Sequence, residues 1–269
     1  MNNNIKNSLA ALCVVTLAAC GPSSTDSQDG AKKSTPSSVP ERVSLNPQGI
    51  LFAKRVFTNE ILDAVLGHDT AITIEQAIAS AGVDMMVSAD VYAADYEANE
   101  IAADNKYKGK TILITGKVDS INKGITGKGY LALRAKGAPL GMQAHLSSDG
   151  TEGAASLSKG TLVYLVCETG PKIGPISTTR NCRRFSQHMS ANAASIEKKI
   201  DRFFAGNASL PKAEALPLIV GYVWGNRLPS DSPCMADFEK CEGEIKKLNI
   251  SDEELRAEVQ KIGQELKME

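Results

Sequence analysis

Apolar and polar residues alternate in five short runs through the middle of the chain, and on either side of them the apolar period lengthens to that of a helix. Ile112, Ile114, Gly116 and Val118 share one face of an extended segment while Thr111, Thr115 and Lys117 share the other, the pattern of a half-buried strand. Leu131, Leu133 and Ala135 alternate with Tyr130, Ala132 and Arg134, and Met142, Ala144 and Leu146 alternate with Gln143 and His145. Further strands are predicted over 162–167 and 176–182, with a short helical turn over 152–157. Five short strands joined by glycine-rich turns predict a small closed barrel, because closure removes exposed edges.

Before the barrel, Val56, Ile61, Val65 and Leu66 predict a helix, and Thr73 with Gln76 forms a capping box. A longer helix is expected from a cap at Ser88 to about Asn105, with an inward stripe of Val91, Ala94, Ala98 and Ile101 or Ala102. After Ser190 three stripes follow: Ile196, Ile200, Phe203 and Phe204; Phe238, Cys241, Ile245 and Leu248; and Leu255, Val259, Ile262 and Leu266. Ser251 with Glu254 is a second capping box. The apolar run from Leu216 to Trp224, with Pro217 and Gly221 inside it, is expected as core of a C-terminal helical subdomain rather than as an exposed partner-binding patch, since large exposed apolar patches are uncommon on monomers.

The chain opens with Lys6, the apolar run Leu9 to Ala19 and the ending Leu17-Ala18-Ala19 before Cys20, an export signal. An apolar run of roughly 11 residues is too short to span a bilayer core, which needs about 20. The ending closely resembles the lipobox of bacterial lipoproteins, which implies that Cys20 is acylated and becomes the first mature residue. Acyl chains on that cysteine imply attachment to a membrane surface. Gly21 after the cysteine implies delivery to the outer membrane, facing the periplasm, if the host has two membranes. Residues 21–48 are rich in Ser, Thr, Pro, Gly and Lys, and predict a disordered tether with an r.m.s. span of about 30 Å.

Charge narrows the choice of partner. The chain holds 30 lysines and arginines against 31 aspartates and glutamates. Cleavage removes only Lys6, leaving 29 against 31, a net −2. That argues against nucleic acid, which calls for a basic domain or stripe. With 42% hydrophobic residues the chain has enough apolar material for a sizeable core.

Val87-Ser88-Ala89, Tyr96-Glu97-Ala98-Asn99, Ala103-Asp104, Tyr107-Lys108-Gly109-Lys110 and Ile114-Thr115-Gly116-Lys117-Val118 resemble the shared pattern of bacterial exported proteins with a tRNA-anticodon-binding-like OB fold, and Leu157-Ser158-Lys159-Gly160, Cys167 and Cys182 continue it. The resemblance spans residues 87–184. It implies an OB-type β-barrel; with the helical periodicity on either side, the expected fold is an α+β protein built on a five-stranded OB-type β-barrel, with an N-terminal helical lead-in and a C-terminal helical subdomain. The expected divisions are a signal peptide over 1–19, the acylated cysteine and tether over 20–48, the lead-in over 49–106, the barrel over 107–186 and the helical subdomain over 187–269. OB folds bind ligands across their second and third strands, which makes Tyr130, Arg134, Gln143 and His145 the candidate ligand face. The expected role is a non-catalytic binding or assembly module of the cell envelope for a protein, peptide or glycan, needing no cofactor. Oligonucleotide binding is the alternative and an envelope hydrolase a distant third, because fold likeness does not carry function across.

Four cysteines remain once Cys13 is cleaved off and Cys20 is acylated, and an even number in an exported protein favours disulfides. Cys167 and Cys182 are symmetric about Gly174-Pro175, so a hairpin turning there sets them opposite each other, within bridging distance. By elimination Cys234 pairs with Cys241. Seven residues of α-helix span about 10.5 Å, so Cys234 is expected before the helix, in the turn from Pro229 to Pro233. Spacings of fifteen and seven, with no Cys-x-x-Cys, make zinc a weak reading. His68, His145 and His188 stand alone in sequence, and His145 is expected on the barrel's outer face, solvated. Gly109-Lys110-Thr111 follows Asp104 where a phosphate-binding loop needs its first glycine, and is expected as a turn. No nucleophile elbow occurs, and no metal site or catalytic residue is assigned.

Overall fold

The computed structural model describes residues 45–124 and 127–266, so Cys20, the leader and the tether up to residue 44 lie outside the described residues. Helix α1 (Pro47–Val65) starts inside the stretch expected as tether: Asn46 caps it, its side chain accepting from the Gln48 amide at 3.0 Å, and Pro47 occupies the first turn, where a missing N–H costs nothing. Val56, Ile61 and Val65 are buried, while Leu66, just past the helix, is 48% exposed. Helix α2 (Ile74–Ser80) carries the capping box, with the Gln76 amide donating to Thr73 at 3.3 Å and the Thr73 amide to the Gln76 side chain at 2.8 Å.

Strand β1 (Met85–Ser88) is too short for its pattern to show in the sequence. The expected long helix then divides into α3 (Ala89–Ala98), capped by Ser88, and α4 (Glu100–Tyr107). Asn99 sits extended between them, and its side chain accepts from the Ala102 amide at 3.1 Å. The expected inward stripe is overturned. Ala89, Tyr92, Ala93 and Tyr96 are buried, whereas Val91 is 46% and Ile101 76% exposed. Two apolar faces compete on this helix, and the one holding the large rings covers the open end of the barrel.

The barrel is built from β2 (Thr111–Lys123), β3 (Gly129–Ala135), β4 (Ala138–Leu146), β5 (Leu162–Thr169) and β6 (Ser177–Arg184), with α5 (Ser148–Ala154) between β4 and β5. The sheet runs β1-β2-β3-β4-β6-β5, and β5 pairs back onto β2, closing five strands and leaving β1 outside. Strands β4 and β6 are parallel and the other barrel pairs antiparallel. Ile112, Ile114 and Val118 point inward as the alternation predicts, beside Leu131, Leu133, Met142, Ala144 and Leu165. Leu113 is buried too, because helices cover the other face of β2 there. Helix α5 lies earlier than the expected 152–157, since Ser147 caps it by accepting from the Gly150 amide at 3.2 Å.

Beyond the barrel come α6 (Phe185–Phe204), α7 (Lys212–Arg227), the single turn α8 (Pro233–Ala236), a 3-10 turn (Phe238–Lys240), α9 (Cys241–Lys247) and α10 (Asp252–Glu265). Helix α7 is apolar all round and therefore lies inside. It packs on α1, and these helices share a core with α2, α6 and α10 that reaches the barrel at Leu113 and Val166. Helices α3 and α4 belong instead to the barrel's own core. Of the second expected capping box the structure shows the N-cap half: Ser251 accepts from the Glu254 amide at 3.2 Å.

Both disulfides close inside these cores. Val166 pairs with Arg183 and Leu165 with Arg184, the register symmetric about Gly174-Pro175, which places Cys167 and Cys182 with Cα atoms 4.2 Å apart. The register slips just beyond, at Asn181, whose φ of 51° marks the bulge. Cys234 lies within α8 rather than in the turn before Pro233. An extended Asp237 breaks the helix between the two cysteines, so Cys234 and Cys241 come within 4.4 Å.

Candidate functional site

The outward face of β2, β3 and β4 is formed by residues whose alternation leaves them outside the barrel core. The register sets Asn122 beside Tyr130 and Tyr130 beside His145, with Ser120, Ala132 and Gln143 forming the next row. Three strands at about 4.8 Å spacing make a strip roughly 10 Å wide. Tyr130 belongs to neither hydrophobic core, and its ring centroid lies 5.5 Å from that of His145. Asn122 donates to the Ser120 hydroxyl at 2.7 Å, which fixes the polar edge of the strip.

His145 is not the freely solvated residue expected. It is half-buried, and its Nε2 is buried with no hydrogen-bond partner among the described residues. Burial pushes its pKa below the ordinary histidine value, so the ring is neutral at pH 7 and presents an aromatic surface rather than a charge. Gln143 adjoins it, half-buried, beside Thr178 of β6. Arg134 stands apart at the far end of β3. It is exposed and pairs with Asp119 at 3.3 Å, as does Lys159. Arg134 first and Lys159 second hold the Asp119 carboxyl below its usual pKa. The structure thus brings Tyr130, Gln143 and His145 together and leaves Arg134 in a separate charged group. From Lys117 to Lys136 the hairpin carries Lys117, Lys123, Lys128, Arg134 and Lys136 against Asp119 alone.

The sequence reading missed a tyrosine cluster at the end of the barrel. The rings of Tyr92 and Tyr96, and of Tyr92 and Tyr107, lie 4.9 Å apart, and all three residues are at most 2% exposed. Each hydroxyl has a partner: Tyr92 donates to the Thr178 carbonyl at 3.0 Å, Tyr96 to Asp104 at 3.0 Å and Tyr107 to Asp95 at 2.5 Å. Burial raises all three pKa values, Tyr96 to about 12, so the phenols stay protonated and serve as a plug with satisfied polar tips. The spacing of Tyr92 and Tyr96, four apart on a helix, was the available signal.

Among the described residues no group of three or more His, Cys, Asp or Glu is arranged to hold a metal ion. No described helix is long and apolar enough to cross a membrane.

A family model described as tRNA_anti-like matches residues 6–178. No curated protein matches the chain. Among solved structures, the chain is similar to a protein from Klebsiella pneumoniae subsp. pneumoniae MGH 78578, provisionally named a nucleic acid-binding lipoprotein. The two are 21% identical over 41% of this chain and 96% of that one, with a TM-score of 0.31.

Proposed function

The chain belongs to the tRNA_anti-like family, and from that premise we propose that it is a lipid-anchored cell-envelope protein whose OB-type barrel is a binding or assembly module. Its partner is a protein, peptide or glycan, held on the strip of Tyr130, Gln143 and His145. One observation carries this reading: on the barrel's outer face Tyr130, outside both hydrophobic cores, pairs its ring with that of His145, whose pKa burial lowers. Flat aromatic surfaces bordered by amides and hydroxyls suit the apolar faces of sugar rings and the side chains of an extended peptide. The anchor is supported by Leu17-Ala18-Ala19-Cys20 and the apolar leader, and Gly21 favours the outer membrane in a host with two membranes. Binding, not turnover, is the role assigned.

Oligonucleotide binding has one observation in its favour, the hairpin with five cations against one carboxylate. Two experiments separate the readings. In the first, mature protein and its Tyr130→Ser, His145→Ser double variant capture ligands from envelope extracts and from a panel of envelope glycans. The wild type is expected to retain a partner that the variant loses without a change in fold by circular dichroism. Retention of the same partners by both would refute the assignment of the strip. In the second, single-stranded DNA is titrated at increasing salt. Affinity that falls steeply with salt and depends on Tyr130 would replace this reading with the nucleic-acid one.

A further inference from the structure

Helix α3 uses Tyr92 and Tyr96 to cover the barrel, which turns its other apolar face outward. Val91 is 46% exposed, Ala94 and Ala98 are exposed at helical spacing from it, and Ile101, just past the break at Asn99, is 76% exposed. Across from this face lies the turn between β3 and β4. Ala94, Glu97 and Ala98 with Lys136, Gly137 and Ala138 line a pocket of about 330 Å³, and Leu140 beyond it is 59% exposed. The pocket is at the small end of the ligand-site range, suited to one or two apolar side chains. It is separate from the Tyr130–His145 strip, since the six residue steps along β3 and its turn from Tyr130 to Lys136 span about 20 Å.

Charge selects the occupant. From Ala89 to Asp104 the chain holds Asp90, Asp95, Glu97, Glu100 and Asp104 and no lysine or arginine. Asp95 is paired with Lys106 at 2.7 Å and Glu97 with Lys172 at 3.6 Å. Asp90, Glu100 and Asp104 make no ion pair among the described residues; Asp90 accepts from the Lys136 amide and Asp104 from the Tyr96 hydroxyl. A second copy of this chain would bring the same carboxylates against each other, and an anionic lipid surface would be repelled. We propose that this face of α3, with the pocket beside it, docks a short amphipathic segment of a partner protein. An apolar side chain of that segment enters between Ala94, Ala98 and Gly137, and its lysines or arginines meet Asp90 and Glu100. Lys136 on the opposite rim orients the segment by repelling its basic edge toward α3.

The test uses two synthetic helical peptides with the same leucine stripe, one flanked by lysines and one by glutamates, titrated into the mature protein. The lysine peptide is expected to shift the backbone amide resonances of Val91, Ala94, Ala98 and Gly137 and to leave those of Tyr130 and His145 in place. It should bind at least ~10-fold more tightly than the glutamate peptide, a gap that narrows as salt screens the charges. Ala98→Arg and, independently, Val91→Glu should abolish binding at unchanged melting temperature, while the Tyr130→Ser, His145→Ser variant binds the peptide as the wild type does. Equal affinity for the two peptides, no binding of either, or shifts confined to the Tyr130–His145 strip would overturn the proposal. So would concentration-dependent self-association that Ala98→Arg removes, or retention on anionic vesicles that it removes, which would make the occupant a second copy or a lipid surface.

Discussion

Replacing Gly225 with alanine tests the close approach of α1 and α7, which joins the first described helix to the helices that follow the barrel. A Cβ at Gly225 would lie 2.4 Å from the Phe52 Cβ and 3.1 Å from the Gly49 Cα, and one at Gly221 would lie 2.9 Å from the Ala53 Cα. Carbon atoms prefer about 3.5 to 4.0 Å, so the helices would have to part by about 1 Å. Phe52 is fully buried and its Cβ cannot rotate away. Overpacking of a filled core costs about 1–3 kcal/mol, and an overlap between atoms this close to the backbone belongs at the upper end. Alanine returns about 1 kcal/mol through its helix propensity, leaving a net loss of ~2 kcal/mol. For a chain of this size that lowers Tm by about 4 to 8 °C. Gly243 in α9 is the control, exposed and with nothing within 4 Å of its would-be Cβ. There the same substitution should raise Tm by up to about 4 °C. Thermal unfolding followed by circular dichroism measures both, and a Gly225→Ala variant as stable as the wild type would refute the packing argument.

Removing the Cys167–Cys182 bridge by double alanine substitution opens a loop of 15 residues and should cost about 3 kcal/mol in the chain-entropy model, read as a lower urea midpoint. Peptide mapping that links Cys167 to Cys234 or Cys241 would instead break the hairpin register. His188 donates from Nε2 to the Ala81 carbonyl at 2.8 Å, and burial first, then Arg183, push its pKa below the ordinary value. The unfolded chain therefore takes up that proton more readily. Stability should be full above about pH 6.5 and fall as pH drops from there through the lowered folded-state pKa, and His188→Gln should flatten that part of the Tm–pH curve. An identical slope in the variant would assign the dependence elsewhere. Cys20→Ser should abolish incorporation of labelled fatty acid, and label still entering the variant would remove the anchor.

Local patterns were legible without the fold. The alternation at Leu131 and Leu133 and at Met142, Ala144 and Leu146 marked both strands and their inward faces, because a strand's period is carried by consecutive residues. Thr73 with Gln76 marked a helix start for the same reason. The symmetry of Cys167 and Cys182 about one turn was enough to align them. The candidate strip was legible only in part: Tyr130, Gln143 and His145 came from alternation, but the separation of Arg134 follows from its pairing with Asp119.

What the tertiary structure decided is contact between residues remote in sequence. Helix α3 has two apolar faces at helical spacing, and periodicity cannot rank them. The open end of the barrel can, because it needs rings large enough to fill it and hydroxyls that reach Thr178, Asp104 and Asp95. Leu113 points out of a strand whose pattern assigns that face to solvent, yet it is buried because helices pack there. The pairing of β1 with β2, the closure of β5 onto β2 and the glycine contact of α7 with α1 rest on partners far along the chain. A local window carries the free-energy preference of its own residues for helix, strand or turn. Which face then meets which depends on shape and polar satisfaction across the whole fold, and these exist only once the distant segments are in place.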